Sequence, residues 1–311
     1  MIKNYLSGIA IVLFSPLLAA VEISPAKLQA GYWVDNSEGL DISGLSFCAG
    51  KLLAVSDKNS GEVYSLELSE GSADLVSFLR LSGLGVPERD EPVNVWESFK
   101  AFFRPAEDLD FEGVSCDENQ IFLVSEHYNR IAVVDPEGNA RWQEHIWSGE
   151  AKSQGFLQKS NASSEGLVKA GDTFWVAMER EPRGLLKLDS DGEASAFTLP
   201  QVEGLNFADR SEDLAGLDFF NGALYTLERN AHAVCRRVLP SLRAEWCLDY
   251  RSLEESPERV YEEAHYGKGE GLAVGEKGIF VVLDNNNVGR AQEPEDKRAL
   301  LLHLAMPEMA N

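Results

Sequence analysis

The chain has 311 residues, 44% of them hydrophobic, and carries 51 acidic against 28 basic side chains for a formal net charge of -23. That balance repels nucleic acid and anionic membrane surfaces and favours cations. The hydrophobic fraction is that of a globular chain, and the length suits either two ordinary domains or one large all-β domain.

Residues 1–20 hold a single positive charge at Lys3, an apolar core interrupted by Pro16, and small Ala19 and Ala20 ahead of Val21. This reads as a secretory signal cleaved near Ala20, too short and broken to span a membrane. No later segment is long and apolar enough to cross a bilayer. The mature protein is therefore expected to be exported, periplasmic or secreted, and a monomer.

One unit then recurs along the rest of the chain. Aligned on its glycine it reads "DISGLSFCAGKLLAVSDKN" at Gly44, "DFEGVSCDENQIFLVSEHYN" at Gly113, "SSEGLVKAGDTFWVAMERE" at Gly166, "DLAGLDFFNGALYTLERN" at Gly216 and "KGEGLAVGEKGIFVVLDNN" at Gly271. Each copy has a short apolar strand, a turn rich in Gly, Asn or Asp, and a second strand ending in an acid: Asp57, Glu126, Glu179, Glu228 and Asp284. The glycine-to-acid offset is thirteen residues in four copies and twelve in the Gly216 copy. Two further strand-like runs follow each acid, so every unit reads as a four-stranded meander.

Repeated meanders bury their faces by packing on one another, which predicts a single five-bladed β-propeller over residues 21–311, with six blades the alternative. A sixth blade would have to occupy the longest interval, between Gly44 and Gly113. That interval instead carries prolines and a helix-like "VWESFKAFF", so residues 84–105 or so read as an inserted cap packed through Trp96, Phe99 and Phe103. The segment Ala26 to Val34 belongs to no unit, and serving as the outer strand of the last blade would leave no open edge there. Cys235 and Cys247 lie symmetrically about Ser241 on facing strands and are expected to form a disulfide. Cys48 and Cys116 are left as a second pair or as two buried thiols.

Antiparallel pairing brings the start of the first strand and the end of the second to one rim. The acids ahead of the glycine, Glu112, Glu165 and Glu270, should therefore meet the terminal acids at one mouth of the central channel. Two unit charges about 6 Å apart at an effective dielectric of about 20 repel by roughly 3 kcal/mol, so the group needs neutralising. Bound calcium would do so, with Asn59, Asn129, Asn230, Asn285 and Asn286 close enough to help. So would Lys58, Arg130, Arg180, Arg183, Arg229 and Arg290, which lie in the same loops and could simply tie neighbouring blades together. Acids and bases at one mouth also suit a phosphate ester, with a metal binding its oxygens and arginine gripping phosphate. Arg180, Arg229 and Arg290 are the candidate substrate clamps. Glu126 and His127 are the candidate proton-transfer pair. No GxSxG, HExxH, Walker or dinucleotide pattern is present.

The runs "SGLSFCAGKLLAVSD", "EDLDFEGVSCDENQIFLVSE", "SSEGLVKAGDTFWVAME", "EDLAGLDFFNGALYTLERN" and "GEGLAVGEKGIFVVLDNN" resemble, in order, the exported phytase-like propellers known as "esterase-like activity of phytase". The resemblance implies a calcium-associated propeller that hydrolyses a small phosphoric or carboxylic ester. It places the metal-ligating acids on Glu112, Glu126, Glu165, Glu179, Glu228, Glu270 and Asp284, with Asp57 added by the repeat. The pattern departs at Ser43 and Ala215, where the acid before the glycine is missing and Asp41 and Glu212 lie nearby. Two other readings share these features: a non-catalytic calcium-stabilised propeller that binds a peptide, glycan or envelope partner, and a lactonase-like propeller of the gluconolactonase and strictosidine synthase type.

Overall fold

The computed structural model describes residues 20–87, 109–159, 163–263 and 265–307. The signal segment and most of the expected cap fall outside the described residues. What remains is all-β. Each repeat unit folds as an antiparallel meander: β3–β6 (Ile42–Cys48, Lys51–Ser56, Glu62–Leu68, Ser72–Arg80), β7–β10 (Phe111–Cys116, Ile121–Ser125, Arg130–Val134, Ala140–Trp142) and β11–β14 (Ser164–Ala170, Thr173–Met178, Gly184–Leu188, Ala194–Thr198). The fourth is β15–β18 (Gly216–Phe220, Ala223–Glu228, Ala233–Val238, Arg243–Asp249). The last has three strands of its own, β19–β21 (Gly269–Gly275, Gly278–Leu283, Leu300–Leu304), and takes its fourth from β2 (Leu28–Asp35), which pairs antiparallel with β21. Strand β2 also pairs in parallel with β6 through Trp33 to Asp35, joining the last meander to the first. An additional strand, β1 (Glu22–Pro25), lies parallel to β18 and covers its outer edge.

Period-2 alternation explains how the meanders stack. Along β4, Leu52 and Ala54 enter one apolar cluster and Leu53 and Val55 another. The first cluster is shared with Phe280 and Val282 of the last meander, the second with Val114 and Leu123 of the next. The same division continues through Phe122 with Val176, Ala177 with Leu224, and Tyr225 with Val281. Each meander thus buries both faces against its two neighbours, which is where the fold gains most of its stability.

Five glycines set the spacing on the inside. A β-carbon on Gly44 would lie 2.9 Å from the Cα of Gly113, one on Gly113 2.7 Å from the Leu167 nitrogen, and one on Gly166 2.9 Å from the Leu217 nitrogen. From Gly216 the nearest atom is Leu272 Cβ at 3.1 Å, and from Gly271 it is Leu45 Cγ at 2.8 Å. The first strands therefore touch in sequence and return to the start, backbone against backbone, with no room for a side chain.

Specific links reinforce these contacts. Cys48 and Cys116 form a disulfide between β3 and β7, 68 residues apart, and Cys235 bonds Cys247 across β17 and β18. Ser115 Oγ accepts the Lys169 backbone N–H at 2.9 Å, linking β7 to β11. The same place on β15 holds Asp218, whose carboxylate accepts the backbone N–H groups of Val274 on β19 and of Phe219. Burial pushes its carboxyl up to about 7, against the pull of those two N–H donors.

Two measurements check this account. Gly113→Ala should cost about 1–3 kcal/mol in urea unfolding, because the methyl meets backbone rather than a mobile side chain; an unchanged midpoint would refute the close approach. Asp218 is raised above its unfolded value, so its contribution is full below about pH 4 and is lost as pH rises to about 7. Asp218→Asn should therefore flatten stability across that window relative to wild type, measured by unfolding at each pH.

Candidate functional site

The acid ahead of the glycine reaches the channel through a β-bulge. The pairing register shifts between Ile42 and Gly44, Phe111 and Gly113, Ser164 and Gly166, and Gly269 and Gly271. Ser43, Glu112, Glu165 and Glu270 are thus the extra residues that the bulge turns out of the ladder. In the Gly216 meander the strand begins at Gly216, which pairs with Leu227, and the Ala215 N–H is donated to the same Leu227 carbonyl at 3.0 Å. Each motif glycine pairs with the residue eleven on in all five meanders, so the residue equivalent to the terminal acids lies thirteen beyond Gly216, not twelve. The glycines pair with Val55, Val124, Ala177 and Val282, and two residues on stand Asp57, Glu126, Glu179 and Asp284. Two residues beyond Leu227 stands Arg229.

Glu228 therefore leaves the expected metal set. It is fully buried and accepts bonds from Arg237 Nη2 at 2.6 Å and Thr226 Oγ1 at 3.0 Å, with Arg183 Nη1 2.9 Å away. Arg237 is itself 0% exposed, so a guanidinium neutralises the acid where water cannot.

The remaining acids divide into two groups. Asp57, Asp110 and Glu112 each offer an oxygen within 4.8 Å of the others, as do Glu126, Glu165 and Glu179. The first group draws in Asp41, which shares Lys58 with Asp57, its Oδ2 lying 3.1 Å from the ammonium. Burial lifts the Asp57 carboxyl to about 6, opposed by Lys58. Burial, with the negative charges of Asp41 and Glu270, lifts Asp284 to about 8. Glu112 and Glu165 are raised well above the ordinary carboxylate range by burial, and then by the other acids facing them. Between the first strands lies a cavity of about 10 Å³ walled by Glu112, Glu165, Glu270 and the five glycines, room for about one water.

On the other side of the mouth Arg229 donates from Nε to Asp213 Oδ2 at 2.8 Å, from Nη1 to Glu270 Oε1 at 2.7 Å and Oε2 at 2.8 Å, and from Nη2 to Glu179 Oε1. Arg229 is thus committed to carboxylates, and the expected clamp role does not fit it. Arg290 is also engaged elsewhere, bonded to Asp296 at 2.9 Å and stacked on Trp33 with its guanidinium 4.1 Å from the ring centre. Arg180, partly exposed and paired with Glu179, remains at the mouth. His127 packs edge-on against Tyr128 next to Glu126, whose Oε1 accepts the Ser163 N–H at 3.3 Å. Asn230 is spent on Asp213 and Ser211, and Asn285 on the Lys297 carbonyl.

Asp110 and Asp213 are absent from the expected set. Both stand three residues before the glycine, as does Asp41, so the repeat itself held the signal. Backbone bonds show what the position does: Asp41 and Asp110 carbonyls accept the N–H of Asp57 and Glu126. Asp213 takes the Asn230 N–H on its side chain at 2.9 Å.

A metal ion fits the acid-rich side. Oxygens of Asp41, Asp57 and Glu179 are buried without a hydrogen-bond partner among the described residues, and buried carboxylate oxygens are rarely left so. The donors are all hard oxygens, with one lysine among Asp41, Asp57, Asp110, Glu112 and Asp284. That composition suits a hard divalent cation.

The two kinds of acid can be told apart by mutation. Arg237→Met strands the buried Glu228 and should cost about 3–5 kcal/mol in urea unfolding, while leaving cation affinity, read by calorimetric titration, at the wild-type value. Loss of cation binding with stability intact would return Glu228 to the mouth.

In overall fold the chain is similar to glutaminyl cyclase from Myxococcus xanthus, with a TM-score of 0.57 at 14% identity over 93% of this chain and 100% of that one. Looser likeness extends to the PQQ-bound aldose sugar dehydrogenase of Streptomyces coelicolor, with a TM-score of 0.49 at 12% identity over 90% of this chain and 98% of that one. It extends also to virginiamycin B lyase of Staphylococcus aureus, with a TM-score of 0.44 at 13% identity over 89% and 99%. At such identities the likeness concerns fold alone, an all-β fold of propeller type. No curated protein matches the chain. The profile of the phytase-like family, described as esterase-like activity of phytase, matches residues 36–238, well over half of the sequence, and the chain belongs to that family.

Proposed function

We propose that this protein is an exported five-bladed propeller hydrolase that binds calcium at its acidic mouth and cleaves a small ester, phosphoric ahead of carboxylic. The observation that carries the reading is the crowding of Asp57, Asp110 and Glu112, with Asp41 beside them, where one buried oxygen each of Asp41 and Asp57 has no hydrogen-bond partner among the described residues. Five meanders, five shared apolar clusters and the strand donated by β2 support five blades closed by the N-terminal segment. Export is supported by two disulfides, which persist in oxidising compartments, and by the character of residues 1–20. No helix among the described residues is long and apolar enough to cross a membrane.

In this reading Asp57, Asp110, Glu112 and Asp41 hold the ion, with Asp284 adjoining. Bound calcium would supply positive charge against the acids and against charge developing on the ester oxygens. Glu165, raised by burial and by Glu112, is the acid suited to exchange a proton with an attacking water, with Glu126 at its side. Arg180 is placed to meet an anionic group, and Lys58 offers a second positive charge on the opposite side.

The test is turnover of p-nitrophenyl phosphate and p-nitrophenyl acetate by the pure protein with calcium and with chelator. Calcium-dependent turnover that falls at least tenfold in Glu165→Gln is expected. Absence of turnover with both esters in both states would overturn the enzymatic reading, and a calcium-dependent melting temperature in such a protein would favour a non-catalytic, cation-stabilised propeller.

A further inference from the structure

The repeat contains one substitution with a chemical meaning. At the position two residues beyond the partner of each motif glycine, four meanders carry Asp57, Glu126, Glu179 and Asp284, and one carries Arg229. We infer that Arg229 is a tethered counter-ion filling what would otherwise be a second cation position at the mouth, and that it thereby fixes how many ions the protein takes up.

Geometry makes the case. Arg229 sits with its guanidinium among Asp213, Glu179 and Glu270, donating to all three, two of them at 2.7–2.8 Å. Asp213 is 1% exposed and Glu179 2%, so neither can rely on water for neutralisation. Both Glu270 oxygens point at one nitrogen, as they would at an ion. Glu179 Oε2 lies buried with no hydrogen-bond partner, an acceptor that the guanidinium leaves unused. Three carboxylates converging on one positive centre through four oxygens, with a fifth, Glu179 Oε2, to spare, form a donor set that calcium or another hard cation could take over. Arginine gives the same neutralisation without dependence on ion supply, since its guanidinium stays charged at any physiological pH.

The inference rests on reading the mouth as a cation site, but its test is separate from catalysis. Arg229→Gln removes the charge and leaves a shorter, neutral amide with fewer donors. In chelator it should unfold well below wild type. In millimolar calcium most of that loss should be recovered, and the variant should hold one more calcium per chain than wild type by metal analysis after desalting. Arg229→Lys should stay near wild type in stability and bind no extra ion. Arg229→Gln with Glu270→Gln should recover stability in chelator, because one acid has been removed with the base. An Arg229→Gln protein that is equally destabilised with and without calcium, or that fails to fold in calcium while Arg229→Lys folds, overturns the proposal. So does an unchanged ion count. Wild type that binds no calcium would sink the hydrolase reading alone; a gained ion in the variant would still uphold this one.

Discussion

The whole architecture turns on the convergence of like charges in a place with little water. Close approach of the five motif glycines brings the first strands together, and bulges at four of them turn Glu112, Glu165, Glu270 and Ser43 inward. Carboxylates gathered this way cannot all ionise freely, and their raised titration ranges express it. The chain meets the problem in three ways. Glu228 is withdrawn to a buried salt bridge with Arg237, Glu179 and Glu270 are held by Arg229, and Asp41 and Asp57 share Lys58.

Much of this was legible in the sequence because the signal repeats. The meander pattern, the glycine ring, the mouth acids and the Cys235–Cys247 pairing all follow from period-2 alternation and from copies that share one spacing. What escaped was a matter of a single residue. Taking the last acid of the second strand makes Glu228 the terminal residue of the Gly216 copy, although the spacing of thirteen found in the other copies falls on Arg229. Gly216 pairs with Leu227, eleven residues on as in every meander, so Glu228 lies on the core side and Arg229 at the mouth. Asp110 and Asp213 escaped for a different reason: their role depends on a position before the strand, where alternation carries no information. The partners of Arg290, from Trp33 and Asp296, belong to distant segments that no local pattern joins.

The outcome is a mouth with two unlike halves. One half, from the first two meanders with Asp284, is rich in oxygen donors, with Lys58 between Asp41 and Asp57. The other is cross-braced by Arg229, with Arg180 beside it. A symmetric ring of acids would offer only a cation trap. On the proposed reading the asymmetric one would hold an ion on one side and present a fixed positive charge with a partly exposed arginine on the other, an arrangement that would orient an anionic ester as well as bind it.

The small cavity ringed by the five glycines has a consequence for size. With room for about one water among Glu112, Glu165 and Glu270, it can hold a solvent molecule but no organic group, so any larger visitor stays outside the ring of first strands.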